Sequence, residues 1–316
     1  MTTFDRHSPL DTEPPAASTS RYTGRFAPSP TGPLHFGSLV GALASYLDAR
    51  HHQGTWLVRI EDIDPLREPP EAAAQILATL EAHGLLWDGP LLYQSTRGEA
   101  YEEALAKLLA TDHAYYCPCS RKQLAEQNGH HAPGCRDRQQ TPENAAIRFK
   151  VHDRALQIQD RIQGLLQFTP HAELDDFVLK RKEGFYAYQL AVVVDDAWQG
   201  VTDVVRGSDL LDSLPWQHLL QDALGLPHPR YAHIPVITNA QGQKLSKQNR
   251  SPALDDRIAP DNLRRALSAL ALTPPPELAE ASCEKLLSWA IPRWSSRLIA
   301  AVPSIPEADL MQVSAS

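Results

Sequence analysis

The sequence predicts an α/β protein: a parallel, doubly wound sheet interrupted by an inserted β-rich segment and closed by a short helical C-terminal part. Strand-like and amphipathic helical stretches alternate through the first third of the chain, the pattern that leaves a parallel sheet between helices. Short β-like pieces then replace that alternation, which resumes after Tyr188 as though the first sheet were being completed.

The first strand is expected at Tyr22 to Ala27, followed by a turn-rich segment and a helix over Gly37 to His51. A strand at Trp56 to Ile60, a helix at Glu71 to His83, a strand or loop at Leu91 to Tyr93 and a helix at Glu99 to Leu109 complete the first half. The insertion shows β-like pieces at Ala146 to Val151, Leu165 to Phe168 and Asp176 to Lys180. Alternation returns with Tyr188 to Asp195, Val201 to Arg206 and Leu210 to Leu224. From Ser251 onward Leu286, Leu287 and Ala290 keep helical spacing. The expected division is a mobile leader at 1–20, a first half of the sheet domain at 21–110, an inserted subdomain at 111–186, a second half at 187–250 and a helical appendage at 251–316.

Composition narrows the function. The chain has 316 residues, 42% of them apolar and 22% charged, which suits a folded protein of about two domains. Its formal net charge of −8 excludes a generally basic nucleic-acid coat but allows a local cationic groove. Apolar runs such as Leu190 to Val194 fall far short of the roughly 20 residues of a membrane-spanning helix, so no membrane partner is expected. Residues Met1 to Ser20 hold acidic side chains and prolines without an apolar centre, unlike a secretory signal, and a cytoplasmic location follows.

Two segments carry phosphate chemistry. Arg25 to Ser38 reads RFAPSPTGPLHFGS and lies between the first strand and the first helix. Its prolines restrict the backbone, while Gly32 and Gly37 let it approach a nucleotide whose phosphates face the helix N-terminus. Alone, His35 reads as a surface histidine. Lys244-Leu245-Ser246-Lys247-Gln248 lies in a loop flanked by Asn239, Gly242 and Asn249, and two mobile lysines suit a triphosphate whose charge shifts during reaction. Alone, that loop reads as solvated surface.

Three of the four cysteines, Cys117, Cys119 and Cys135, fall within nineteen positions, a spacing that argues for metal before disulfide. With His131, or His130 as the alternative, they supply four ligands for one tetrahedral structural Zn²⁺. Ordinary buried thiols are the bland reading. Cys283 belongs to the tail and is expected to pack there.

Taken together, the two phosphate segments resemble the HIGH and KMSKS signatures of class I aminoacyl-tRNA synthetases. The phrases RFAPSPTGPLHFGS, WLVRIEDID, YQLAVVVDD, GVTDVVRG and KLSKQ are similar to the glutamyl branch, over roughly Arg21 to Ser251. Only 65 residues follow Ser251, too few for the anticodon-binding domains of that branch. With the cysteine cluster, this resembles the glutamyl-queuosine tRNA(Asp) synthetase family.

The resemblance implies a class I Rossmann fold and a ligase that uses ATP and Mg²⁺ to activate L-glutamate without tRNA. Glutamate is then transferred to the queuosine base at the wobble position of tRNA(Asp), with the enzyme expected to act as a monomer. His35, Lys244 and Lys247 would stabilise the transition state; His35, Gly37, Ser38 and Lys247 would bind ATP. Arg25, Phe26, Ala27, Pro28, Ser29, Glu61, Tyr188 and Arg206 would line the glutamate site. Ser38 stands where the signature has its second histidine, and Val192 where discriminating glutamyl enzymes carry asparagine. Asp195 and Asp196 are read as structural. The rival readings are a glutamyl-tRNA synthetase fragment charging a tRNA 3′ end, a small-molecule adenylyltransferase and a silent zinc-bearing RNA-binding module.

Overall fold

The computed structural model describes residues 21–126, 134–137, 141–172, 175–239, 241–245 and 252–312. Strand β1 (Thr23–Phe26) leads into helix α1 (Phe36–His51), then β2 (Thr55–Ile60), α2 (Ala72–Ala82), β3 (Leu92–Tyr93) and α3 (Gly98–Ala110). Next come β4 (Ala114–Cys117), a short α4 (Arg121–Glu126), β5 (Ala146–Phe149), β6 (Leu156–Asp160), β7 (Gly164–Phe168) and β8 (Val178–Lys180). Helix α5 (Tyr188–Trp198), β9 (Asp203–Gly207), α6 (Leu214–Leu224), β10 (Arg230–Ile234) and β11 (Val236–Thr238) follow. The chain continues through α7 (Ala259–Ala269), α8 (Cys283–Ala290), β12 (Ser304–Pro306) and α9 (Glu307–Gln312).

The expected parallel sheet is present. β1 pairs with β2, β2 with β3 and β9 with β10, all parallel. The two halves meet where the Thr202 amide donates to the Thr23 carbonyl at 2.9 Å and the Thr23 amide donates to Thr202 Oγ1 at 2.9 Å. The spatial order is therefore β3-β2-β1-β9-β10, with its change of direction between β1 and β9. Such a switch point opens a crevice beyond the C-terminal strand ends, where α/β proteins bind ligands.

Helix α1 covers this seam. Leu39, Leu43 and Leu47, four residues apart and fully buried, form its core-facing stripe, and α7 lays Leu263 and Leu267 into the same cluster. The tail is thus part of the main core. It is also not purely helical, because β12 pairs in parallel with β11.

The middle segment divides between two sheets. β4, β5 and β8 form an antiparallel sheet of their own. The β6–β7 hairpin instead joins β10 at Tyr231 and Asp160, and the Arg161 amide donates to the Tyr231 carbonyl at 2.8 Å. Neither β4 nor β6 was among the expected strands. In β6 the alternation of buried Leu156, Ile158 and Asp160 with exposed Gln157 and Gln159 is the period of a half-buried strand. The expected helix Leu210 to Leu224 is in fact a 3₁₀ turn at Ser208–Ser213 followed by α6, in which Pro215 opens the helix where no amide partner is needed. Among the described residues no helix is long and apolar enough to cross a membrane.

Candidate functional site

Arg25 stands near the C-terminal end of β1 and Arg206 near that of β9, so the switch point brings both to one recess. Asp196, on α5, receives Arg25 Nε at 3.1 Å and Arg59 Nη1 at 2.8 Å. Arg59 also donates to Glu61 Oε1 at 3.2 Å and to Gln199 at 2.8 Å. All four charged groups are buried, and unpaired burial of any one would cost several kcal/mol. Burial alone would raise Asp196, but Arg25 and Arg59 outweigh it and hold the carboxyl below the ordinary aspartate range. At Glu61 burial wins and raises the carboxyl above its ordinary value, against the pull of Arg59 and Arg25. An ammonium arriving beside Glu61 would supply the missing compensation.

Tyr188 opens α5 and accepts from Arg206 Nη1 at 3.4 Å. Burial raises its hydroxyl pKa, with Arg206 and Arg25 pulling it down and Glu61 adding to the rise. Arg206 also donates from Nη1 to Gln217 at 2.8 Å and from Nε to His233 Nε2 at 2.9 Å. Phe26, Ala27 and Pro28 continue from β1 half-buried, the Pro28 carbonyl accepts the Glu61 amide at 3.0 Å, and Ser29 is exposed. Val192 is buried in the apolar cluster with Leu190 and Val193 and presents no polar group.

His35 caps α1. Its Nδ1 accepts from the Ser38 amide at 3.2 Å, and its Nε2 lies 2.9 Å from Ser38 Oγ. A Cβ on Gly37 would stand 3.3 Å from the His35 ring and 3.5 Å from the Leu245 carbonyl. The two signature segments therefore lie against each other at the helix N-terminus, and the Leu254 amide, beyond the lysine loop, returns to the Leu34 carbonyl at 3.0 Å. An Asn239 turn launches the loop: its side-chain oxygen accepts the amides of Gln241 and Gln243. Lys244 is exposed and ion-paired with Asp209. Lys247 lies outside the described residues.

The cysteine cluster belongs to the β4 sheet. Cys117, Cys119 and Cys135 are buried free thiols, with sulfur separations of 3.7 Å for Cys117 to Cys135 and 3.9 Å for Cys119 to Cys135. A tetrahedral ion with metal–sulfur bonds near 2.3 Å sets its ligands about 3.8 Å apart, so the three sulfurs fit such a centre. Burial and the neighbouring sulfurs push the Cys135 thiol up to about 12, a penalty that a bound cation removes. His131 and His130 lie outside the described residues. Cys283 begins α8, where its thiol faces the Ala82 carbonyl at 3.8 Å.

Sequence reasoning passed over several residues of this site. Arg59 lies inside the quoted phrase WLVRIEDID, and a charged residue in an otherwise apolar strand was its signal. Asp196, read as structural, does hold structure, but it does so by orienting Arg25. Asp160, Asp209, Gln217 and His233 carried no local signal.

The chain matches the family model for class I tRNA synthetases (E and Q), catalytic domain, over residues 22–269. Its curated relatives include a Glutamyl-Q tRNA(Asp) synthetase from Pseudomonas fluorescens, 51% identical over 93% of this chain and 99% of that protein. Another of that name, from Pseudomonas aeruginosa, is 51% identical over 92% of this chain and 100% of its own length. Among solved structures, a glutamate-tRNA synthetase from Elizabethkingia anophelis superposes with a TM-score of 0.75 at 26% identity, covering 93% of this chain and 70% of that one. A glutamate tRNA ligase from Elizabethkingia meningosepticum, in complex with its amino acid, gives 0.75 at 25% identity, covering 93% and 68%.

Proposed function

Since the chain belongs to the class I tRNA synthetases of the E and Q type, we propose that it activates L-glutamate with ATP and transfers it to the queuosine base of tRNA(Asp). The reading rests above all on the convergence of Arg25, Arg206, Glu61 and Tyr188 in one recess at the strand switch point, beside the loop that carries His35. The names of the Pseudomonas relatives support the acceptor.

Activation needs alignment and charge stabilisation more than a strong base. Arg206 and Tyr188 receive the side-chain carboxylate of glutamate, and Glu61 receives its ammonium group. The α-carboxylate then faces the α-phosphorus of ATP, a bond forms between them, and pyrophosphate leaves. The N-terminus of α1, with His35, and the loop of Lys244 and Lys247 steady the phosphates, while Gly37 leaves room for the nucleotide. Lys244 exchanges Asp209 for phosphate when ATP binds. Mg²⁺ bound with ATP would screen the triphosphate charge. Cys117, Cys119 and Cys135 would hold one Zn²⁺ per chain, with His131 as the expected fourth ligand, and the bound ion would give structure to the inserted sheet. The enzyme works as a cytoplasmic monomer.

Purified protein with Mg²⁺, glutamate and ATP is expected to exchange labelled pyrophosphate into ATP without tRNA. Mass analysis of tRNA(Asp) digests should then show glutamate on queuosine and none on tRNA lacking that base. Exchange at background level would refute the activation step, and glutamate at the tRNA 3′ end would move the acceptor. Lys247→Ala should slow exchange at least about tenfold, because losing one transition-state charge contact costs more than about 1.4 kcal/mol.

A further inference from the structure

Arg206 is held by more than its strand. Its Nε donates to His233 Nε2 at 2.9 Å, and Nδ1 of the same ring lies 2.7 Å from Asp160 Oδ2. Both partners are completely buried, His233 on β10 and Asp160 at the end of β6. A guanidinium Nε can only donate, so His233 Nε2 is the acceptor and the ring proton sits on Nδ1, directed at Asp160. The other Asp160 oxygen is fully engaged: Oδ1 accepts the backbone amides of Ile162 at 2.9 Å, Gln163 at 2.8 Å and His233 at 3.2 Å.

We propose that Asp160 and His233 form a buried positioning relay that orients Arg206 toward the side-chain carboxylate of glutamate. The β6–β7 hairpin thereby becomes part of amino-acid recognition. This inference rests on the reading of Arg206 as the glutamate ligand. Arg25 and Arg59 meet Asp196 directly, which suits groups that brace one another. An aspartate placed directly on the Arg206 fork would compete with the substrate for it. The neutral imidazole keeps that carboxylate one ring away and fixes the guanidinium through Nε, while Nη1 meets Tyr188 and Gln217 and Nη2 makes only a long 3.5 Å contact with the Leu210 carbonyl that a ligand carboxylate can replace. Fixing the side chain before the substrate arrives lowers the ordering cost of binding.

Asp160→Asn tests the relay with little change of shape. The asparagine oxygen stays with the three amides that hold Oδ1, so its NH₂ group faces Nδ1 and donates to it. The ring proton must then move to Nε2, opposite the Arg206 Nε–H, and two donors collide. In tRNA-free pyrophosphate exchange the KM for glutamate should rise at least about tenfold, while kcat and the KM for ATP change less than about threefold. Nitrogen-15 NMR of the histidines should show the His233 proton on Nδ1 in the unmodified protein and on Nε2 in the variant.

Arg206→Ala should raise the glutamate KM at least as much, and the double variant should be no worse than Arg206→Ala alone. If Arg206→Ala acts and Asp160→Asn leaves the glutamate KM unchanged, the relay is wrong. If Arg206→Ala itself leaves that KM unchanged, Arg206 is not the ligand and the relay falls with that reading. Should Asp160→Asn fail to fold, the tautomer in the unmodified protein still decides, since a proton on Nε2 overturns the proposal.

Discussion

In the recess between β1 and β9, Arg25 and Arg59 reach Asp196 across 171 and 137 positions of chain, whereas Cys117, Cys119 and Cys135 contact one another within a span of 18. Both regions bury groups that water would otherwise solvate. The recess sets positive against negative from within, leaving only Glu61 short of compensation, and so is largely formed before any ligand arrives. The cluster brings together three groups of the same kind, which repel on ionising and which a cation from outside would hold together. Stability of the recess is therefore a property of the chain, while a metal held by the cluster would tie the stability of that region to metal concentration.

The largest expected effect falls on the recess. Asp196→Ala leaves Arg25 and Arg59 buried without their shared partner and should cost about 3–5 kcal/mol of unfolding free energy in urea titrations. A loss below about 1 kcal/mol would mean that the recess is not held by its own charges.

Metal removal probes the other side. The purified protein should carry one equivalent of zinc, and a strong chelator should lower its stability by about 3 kcal/mol if the metal is held at a hundred times its Kd. Cys119→Ser should release the metal with exchange reduced less than about threefold, as expected of a structural centre. Complete loss of exchange in a folded, metal-free variant would instead make the metal catalytic.

Acid separates the two regions more finely. Burial is the main cause holding His83, His218 and His233 below the ordinary histidine value of 6.5. Folded, these rings bind protons more weakly than unfolded, so the unfolded chain takes up more protons as pH falls through 6.5, and stability declines. Asp48, Asp160 and Asp196 are held below the ordinary 3.8 by their partners, Arg161 at Asp48, hydrogen bonds from His233 and backbone amides at Asp160, and Arg25 and Arg59 at Asp196, which outweigh burial and add a further loss beneath that pH. Denaturation at pH 7 and pH 5 should reveal uptake of about one to two protons on unfolding, and it should persist in chelated protein. If chelation abolishes it, the acid sensitivity belongs to the cysteine centre.

The smallest effect concerns contact between the signature segments. Gly37→Ala places a methyl 3.3 Å from the His35 ring, which must give by a few tenths of an ångström, and in ordinary contact with the Leu245 carbonyl at 3.5 Å. The KM for ATP should rise about two- to fivefold with stability nearly unchanged. An unchanged KM would separate the first helix from the nucleotide.

Much of this protein was legible before folding, because some physical preferences are local. Hydrophobic period placed α1, α2, α3 and α5 to within a few residues, and prolines and glycines marked the loop ahead of α1. Clustering of Cys117, Cys119 and Cys135 was visible because their spacing is short. What stayed hidden were the distant contacts that no signature motif joins. No local pattern joins Asp160 to His233 over 73 positions, or Arg59 to Asp196 over 137. Sequence fixes which residues carry charge and which segments become strands; only the order of those strands in space decides which charges meet, since burial makes a lone charge intolerable and folding must find its partner wherever the chain has placed it.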